Sequence, residues 1–130
     1  MKRMMAMLGT LVMLVAFAAP AGAHDENPCG DQYWHDGFQK QVQDCAMWRG
    51  AVPVYEERWH DASQEPIGYL WNARGNWFVC ERQGSTYGVS GYLNDWWAYT
   101  LADNGEWGWV PEVYFSGGDD FEPDGGLVHC

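Results

Sequence analysis

The chain has 130 residues with 7 basic and 18 acidic side chains, a formal net charge of −11, and 9 Trp and 7 Tyr among its aromatics. That length supports one domain with one modest core. The acidity argues against nucleic acid and anionic membrane surfaces and favours cationic partners, although acidic charge also serves simply to keep an exported protein in solution.

Met1-Lys2-Arg3 is a short positive start, Met4 to Ala19 is an uncharged and mostly apolar run, and Ala21-Gly22-Ala23 is a small-x-small site. Residues 1–23 therefore read as a secretory signal peptide cleaved after Ala23. The apolar run, at 16 residues, falls short of the roughly 20 that a spanning helix needs. His24, not Cys, follows the cleavage point, so no lipid anchor is expected. What remains, His24–Cys130, holds 5 basic and 18 acidic residues and is expected to be secreted and extracellular.

Residues 24–50 are polar and broken by Asn27-Pro28, Gly30-Asp31 and Asp36-Gly37, with room for a short helix or irregular strand between Phe38 and Met47. Cys29 and Cys45 bracket this segment. With Cys80 and Cys130 they make an even count in an exported chain, which reads as two disulfides, not as zinc ligands, since no Cys-x-x-Cys pair occurs. Three connectivities are open. Cys29–Cys45 with Cys80–Cys130 is preferred, the first making residues 24–50 an extension stapled to itself, the second fastening the last residue to a central strand.

Beyond Gly50 the pattern is β. Ala51-Val52-Pro53-Val54-Tyr55 is a short strand in which Pro53 suits an edge or an end. Glu56 to Pro66 is a charged loop centred on Trp59 and His60. Ile67 to Trp71 is a strand with Ile67, Tyr69 and Trp71 on one face, and Asn76 to Arg82 another with Phe78 and Cys80 on one face. Tyr87 and Tyr92 stand around two glycines. Trp97, Tyr99 and Leu101 alternate, as do Trp107 and Trp109, on either side of Asn104-Gly105, which predicts a hairpin with a type I′ turn. Pro111 should end the second strand, with a turn over Pro111–Tyr114. Ser116 onward reads as a flexible acidic tail. Short strands at this spacing, with little helical pattern, predict an all-β barrel or sandwich.

The run Val52-x-Val54, long loop, Ile67-Gly68-Tyr69-Leu70, Phe78-Val79-Cys80, Trp97-Ala98-Tyr99-Thr100-Leu101, Asn-Gly turn and Gly108-Trp109-Val110-Pro111 resembles the bacterial SH3-like domain. A Cys in the middle strand and another at the C-terminus is similar to the secreted, disulfide-bearing branch of that family. The resemblance covers about residues 51–130 and implies a small SH3-like barrel behind a disulfide-stapled N-terminal extension. It also implies a non-catalytic module of the kind that binds cell-wall peptides. Where many members carry an Arg-Ser-Gly-Pro-like stretch, this chain has Tyr55-Glu56-Glu57-Arg58-Trp59-His60-Asp61.

Tyr55, Trp59, Trp96, Trp97, Trp109 and Tyr114 are the candidate ligand-binding residues, lining a groove between the long loop and the hairpin. Flat rings with polar tips suit peptides, sugars and cationic side chains, and Glu56, Glu57 and Asp61 would add an acidic rim. Trp97 and Trp109 have a second reading as interior packing. Paired cysteines leave no thiolate nucleophile. His24, His35, His60 and His129 stand alone, no hydrolase or metalloprotease motif occurs, and the carboxylates at Glu56-Glu57 and Asp119-Asp120 are sequence neighbours with no cleft implied. No enzyme activity, metal or cofactor is expected; a calcium site at Asp119, Asp120, Glu122 and Asp124 lacks the EF-hand order.

These readings converge on a secreted, monomeric binding module for a cell-wall peptide or a basic protein segment. The rival is a small secreted inhibitor or regulator of an extracellular enzyme presenting the Glu56–Pro66 loop. A structural surface protein is the third reading.

Overall fold

The structure, a computed structural model, describes residues 27–123 and 126–130; the expected signal peptide lies outside them. The fold is all-β, with 47% of the described residues in strands or β-bridges and 3% helical. The strands are β1 (Tyr33–His35), β2 (Lys40–Asp44), β3 (Val52–Val54), β4 (Gly68–Leu70), β5 (Trp77–Phe78), β6 (Cys80–Val89), β7 (Tyr92–Leu101) and β8 (Trp107–Pro111), followed by a 3₁₀ turn at Glu112–Tyr114. Among the described residues they form three small antiparallel sheets, ordered β1-β2-β5, β3-β4 and β6-β7-β8, and no closed barrel. No helix among these residues is long and apolar enough to cross a membrane.

Alternation decides which side chains meet. Ala98 and Thr100 of β7 and Val110 of β8 point into a core shared with Val52, Val54, Leu70 and Phe78. Tyr55 continues β3 onto the free edge of β8 through reciprocal hydrogen bonds with Trp109, N to O at 2.8 Å and 2.7 Å, so β3–β4 and β6–β7–β8 wrap one interior. Gly108 is needed at this crossing, because a Cβ there would sit 2.8 Å from a Val54 methyl. Pro53 pairs only with Tyr69 of β4, the edge placement that a residue without an N–H requires.

The expected disulfides, Cys29–Cys45 and Cys80–Cys130, are both formed. Residues 27–50, however, are more than a self-stapled extension. Cys29, Cys45 and Met47 belong to the common core, and β2 pairs with β5 through Gln43↔Phe78 and Asp44↔Trp77. The buried Gln43 amide ties the first disulfide loop to the C-terminal residues: it donates to Gly30 O at 3.0 Å and to Gly126 O, and accepts from Val128 N at 3.0 Å.

Three expected elements differ in detail. The strand expected over Asn76–Arg82 breaks at Val79, where the chain leaves β2 and joins β7. The Asn104-Gly105 turn is not type I′. Ala102 N donates to Glu106 O and Gly105 N to Ala102 O, both at 2.9 Å or less, and only Gly105 takes a positive φ, 90°. This is a three-residue loop with a left-handed glycine. Asn104 is held by its side chain, which donates to Ile67 O and accepts from Glu106 N. A two-residue turn with both φ positive occurs instead at Ser90-Gly91 (52° and 84°), closing Val89↔Tyr92. The acidic segment after Ser116 is pinned, not loose: Leu93 N donates to Asp120 Oδ1 at 3.0 Å and Asn94 Nδ2 to Glu122 O at 3.0 Å.

Candidate functional site

The face of β7–β8 that carries Trp97, Tyr99 and Leu101 opposes Pro111, Trp109 and Trp107 in register. Its two ends have different fates. At the Trp97 end a second layer, formed by Tyr55, His60 and Tyr87, closes over the indole, which is 0% exposed. Trp97 Nε1 donates to Ser85 O at 2.8 Å. Gly84 makes this possible, since a Cβ there would meet the indole at 2.8 Å. The hydroxyls of Tyr55 and Tyr87 lie 3.0 Å apart, and those of Tyr87 and Tyr114 3.5 Å. Burial first, then the bond to Tyr87, pushes both Tyr55 and Tyr114 well above the ordinary phenol value.

The six residues expected to line one groove are therefore divided. Tyr55, Trp97 and Tyr114 are buried side chains of this polar-tipped inner layer. Trp96, next to Trp97 in the strand, points to the opposite face and packs on His129 at 5.2 Å. Trp59 and Trp109 do come together, through a residue not counted among the candidates: the Arg58 guanidinium lies 5.5 Å from the Trp59 ring centre and 5.2 Å from that of Trp109. Arg58 is fixed by Nε donating to Gln83 O at 3.1 Å and by its own carbonyl accepting from Ser85 N. Trp59 itself is 61% exposed.

From Trp109 an aromatic band runs along the open end of the sheet. Tyr99 packs on Trp109 at 5.0 Å and stacks on Trp107 at 5.5 Å; Trp107 meets Trp77 at 5.7 Å; Phe38 and His35 complete it against Trp77 at 5.4 Å and 4.9 Å. Lys40 Nζ lies 5.6 Å from the Trp107 ring centre. Beside Trp107, Glu56 and Glu106 line a shallow cleft of about 450 Å³ with Ile67 and Asn104. The alternation of Tyr99, Trp107 and Trp109 is visible in the sequence; the arrival of Phe38 and Trp77 depends on the β2–β5 pairing, which no local pattern announces.

The indoles of the band and of Trp48, elsewhere on the surface, share one chemistry. The chain has five Lys or Arg residues beyond residue 23, and three of them, Lys40, Arg49 and Arg58, lie over indole rings. Attraction of a cation to an indole face is worth about 0.5–2 kcal/mol, more where water is excluded.

A different chemistry lies on the Trp96 side. Glu81 and Glu112 are both buried and share a hydrogen bond. Burial holds the Glu81 carboxyl above the ordinary carboxylate value, partly offset by Glu112 and by His129. All four cysteines are in disulfides, and among the described residues no group of three or more His, Cys, Asp or Glu could hold a metal ion.

No family profile, curated protein or solved structure matches this chain.

Proposed function

We propose that this chain is a secreted, non-catalytic binding module of SH3-like type that takes a cationic segment of a peptide-like ligand, a cell-wall peptide or a basic protein segment, on its aromatic band. The observation that carries this reading is the placement of the chain's own cations. Lys40 and Arg58 rest on Trp107, Trp109 and Trp59, so these rings already hold an ammonium and a guanidinium, and Glu56 and Glu106 stand beside Trp107 in a cleft whose described lining has no basic residue. A ligand ammonium that displaces Lys40 from Trp107 would meet a ring face and two carboxylates together. The net charge of −11 adds long-range attraction of the same sign.

The test is a titration of the protein with a Lys/Arg-rich peptide and a Glu/Asp-rich peptide of equal length, alongside co-sedimentation with purified bacterial cell walls across a salt series. Binding of the basic peptide that survives moderate salt and disappears in Trp107→Ala is the expected result. Equal binding of both peptides, or none by any probe, overturns it. The inhibitor reading is supported by the same exposed Trp59 on a loop held by a disulfide-linked frame; inhibition of an extracellular hydrolase that is lost in Trp59→Ala but kept in Trp107→Ala would favour it.

A further inference from the structure

A cleft of about 290 Å³ lies on another part of the surface, walled by Trp48, Leu93, Val113 and Phe115 and edged by Asp119 and Asp120. It is built from three separate pieces of chain. Trp48 comes from the segment after β2, where its backbone N–H donates to Tyr114 O at 3.0 Å. Its indole Nε1 donates to Val113 O at 2.8 Å, and its ring stacks on Tyr114 at 5.8 Å and 25°. The indole is thereby fixed in orientation, yet remains 41% exposed. Leu93 stands opposite, near the tip of the β6–β7 hairpin and 40% exposed.

The third piece, residues 116–121, is anchored at both ends. Ser116 N donates to Ala46 O at 2.8 Å, Leu93 N to Asp120 Oδ1 at 3.0 Å, and Phe121 N to Leu93 O at 3.2 Å. The wall and the rim are thus held against each other by two backbone bonds and one to the Asp120 carboxylate, and the cleft is preformed. Every charged residue lining it is acidic; Arg49 lies over the Trp48 ring at 5.9 Å but is not among the lining residues.

A cleft of this volume, walled mainly by apolar side chains, has room for an aromatic ring and a short chain. Its rim repels carboxylates and attracts cations. We propose that the cleft is a ligand site for a small arylalkylamine: an apolar ring seated between Trp48 and Leu93, with a primary ammonium reaching Asp119 and Asp120 through a short methylene chain. This site does not depend on the aromatic band being a binding surface.

The experiment compares three probes of one shape, phenethylamine, 2-phenylethanol and 3-phenylpropionate, titrated into ¹⁵N-labelled protein. Saturable shifts at the Trp48 indole N–H and at the Leu93, Val113 and Asp119 amides are expected with the amine. The alcohol should bind about fivefold more weakly, the strength of one exposed ion pair, and the carboxylate more weakly still. Asp119→Asn, an exposed change, should bring the amine towards the alcohol and leave the alcohol unaffected; Leu93→Ala should weaken both. No saturable shift at these amides overturns the proposal, as does carboxylate binding equal to that of the amine. Shifts centred on Trp107 also overturn it, while leaving the band as the cation site.

Discussion

His129 Nε2 lies 3.4 Å from Glu81 Oε1, and the two residues form a parallel bridge that lays the C-terminal residues along β6. Glu81 N donates to Val128 O at 2.8 Å and Cys130 N to Glu81 O at 3.0 Å. The last residues are thus bridged to β6 and covalently fixed there by Cys80–Cys130, with His129 against one of two buried carboxyl groups.

The pair makes stability depend on pH in a definite sense. Burial raises Glu81 above its ordinary value in the folded state. A raised carboxyl favours folding while protonated, so its contribution is fully present below the unfolded value of about 4.3 and is lost as pH rises through the folded value. The urea midpoint should therefore fall from mildly acidic towards neutral pH, and Glu81→Gln should flatten that dependence. An unchanged slope in the variant would assign the pH effect to other groups.

Replacing Cys80 and Cys130 together by Ser removes a cross-link across 50 residues. Loop-closure entropy puts the loss at about 4 kcal/mol, a model-dependent figure. Calorimetry should show the larger drop in Tm for this pair and the smaller for Cys29/Cys45, whose separation is 16. The reverse order would mean that strain or residual structure outweighs loop length.

Two tryptophans of the candidate set should respond in opposite ways. Trp97→Ala empties a fully buried site and should cost about 3–5 kcal/mol. Trp59→Ala, at an exposed ring, should change stability by about 0.5 kcal/mol or less. Equal losses in denaturant melts would mean that the loop bearing Trp59 is part of the cooperative unit.

Arg58 occupies the ring faces that a ligand guanidinium would use. In Arg58→Gln the basic peptide should bind several-fold more tightly, measured by isothermal titration, because an internal competitor is gone. Weaker binding would show instead that Arg58 holds Trp59 and Trp109 in place, a role consistent with its bond to Gln83 O.

The sequence carried the local features well. Period-2 alternation placed Tyr69 beside Trp71, which stack at 4.8 Å, and put Trp107 and Trp109 on one face. Pro111 ends β8, as a residue without an N–H should. Cysteine order led to the disulfides that form. Long-range matters were hidden. A turn's type depends on side-chain bonds such as Asn104 to Ile67 O, not on the dipeptide alone. Whether Trp97 is covered depends on a loop arriving from 25 residues or more away, as His60 N does when it donates to Ser85 Oγ. The groove expected from six aromatics failed because adjacent residues on a strand face opposite ways, which separates Trp96 from Trp97, and because a second layer buries three of the six.

The break at Val79 has a mechanical consequence. β5 belongs to one sheet and β6 to another, and the two disulfides fall on either side of that junction, locking residues 29–45 and 80–130. Under tension between Cys29 and Cys130, only the chain between Cys45 and Cys80 can pay out. That is a tether of roughly 35 residues, about 120 Å when taut. A pulled molecule would stop at that length, with most of its aromatic side chains still inside covalently closed loops.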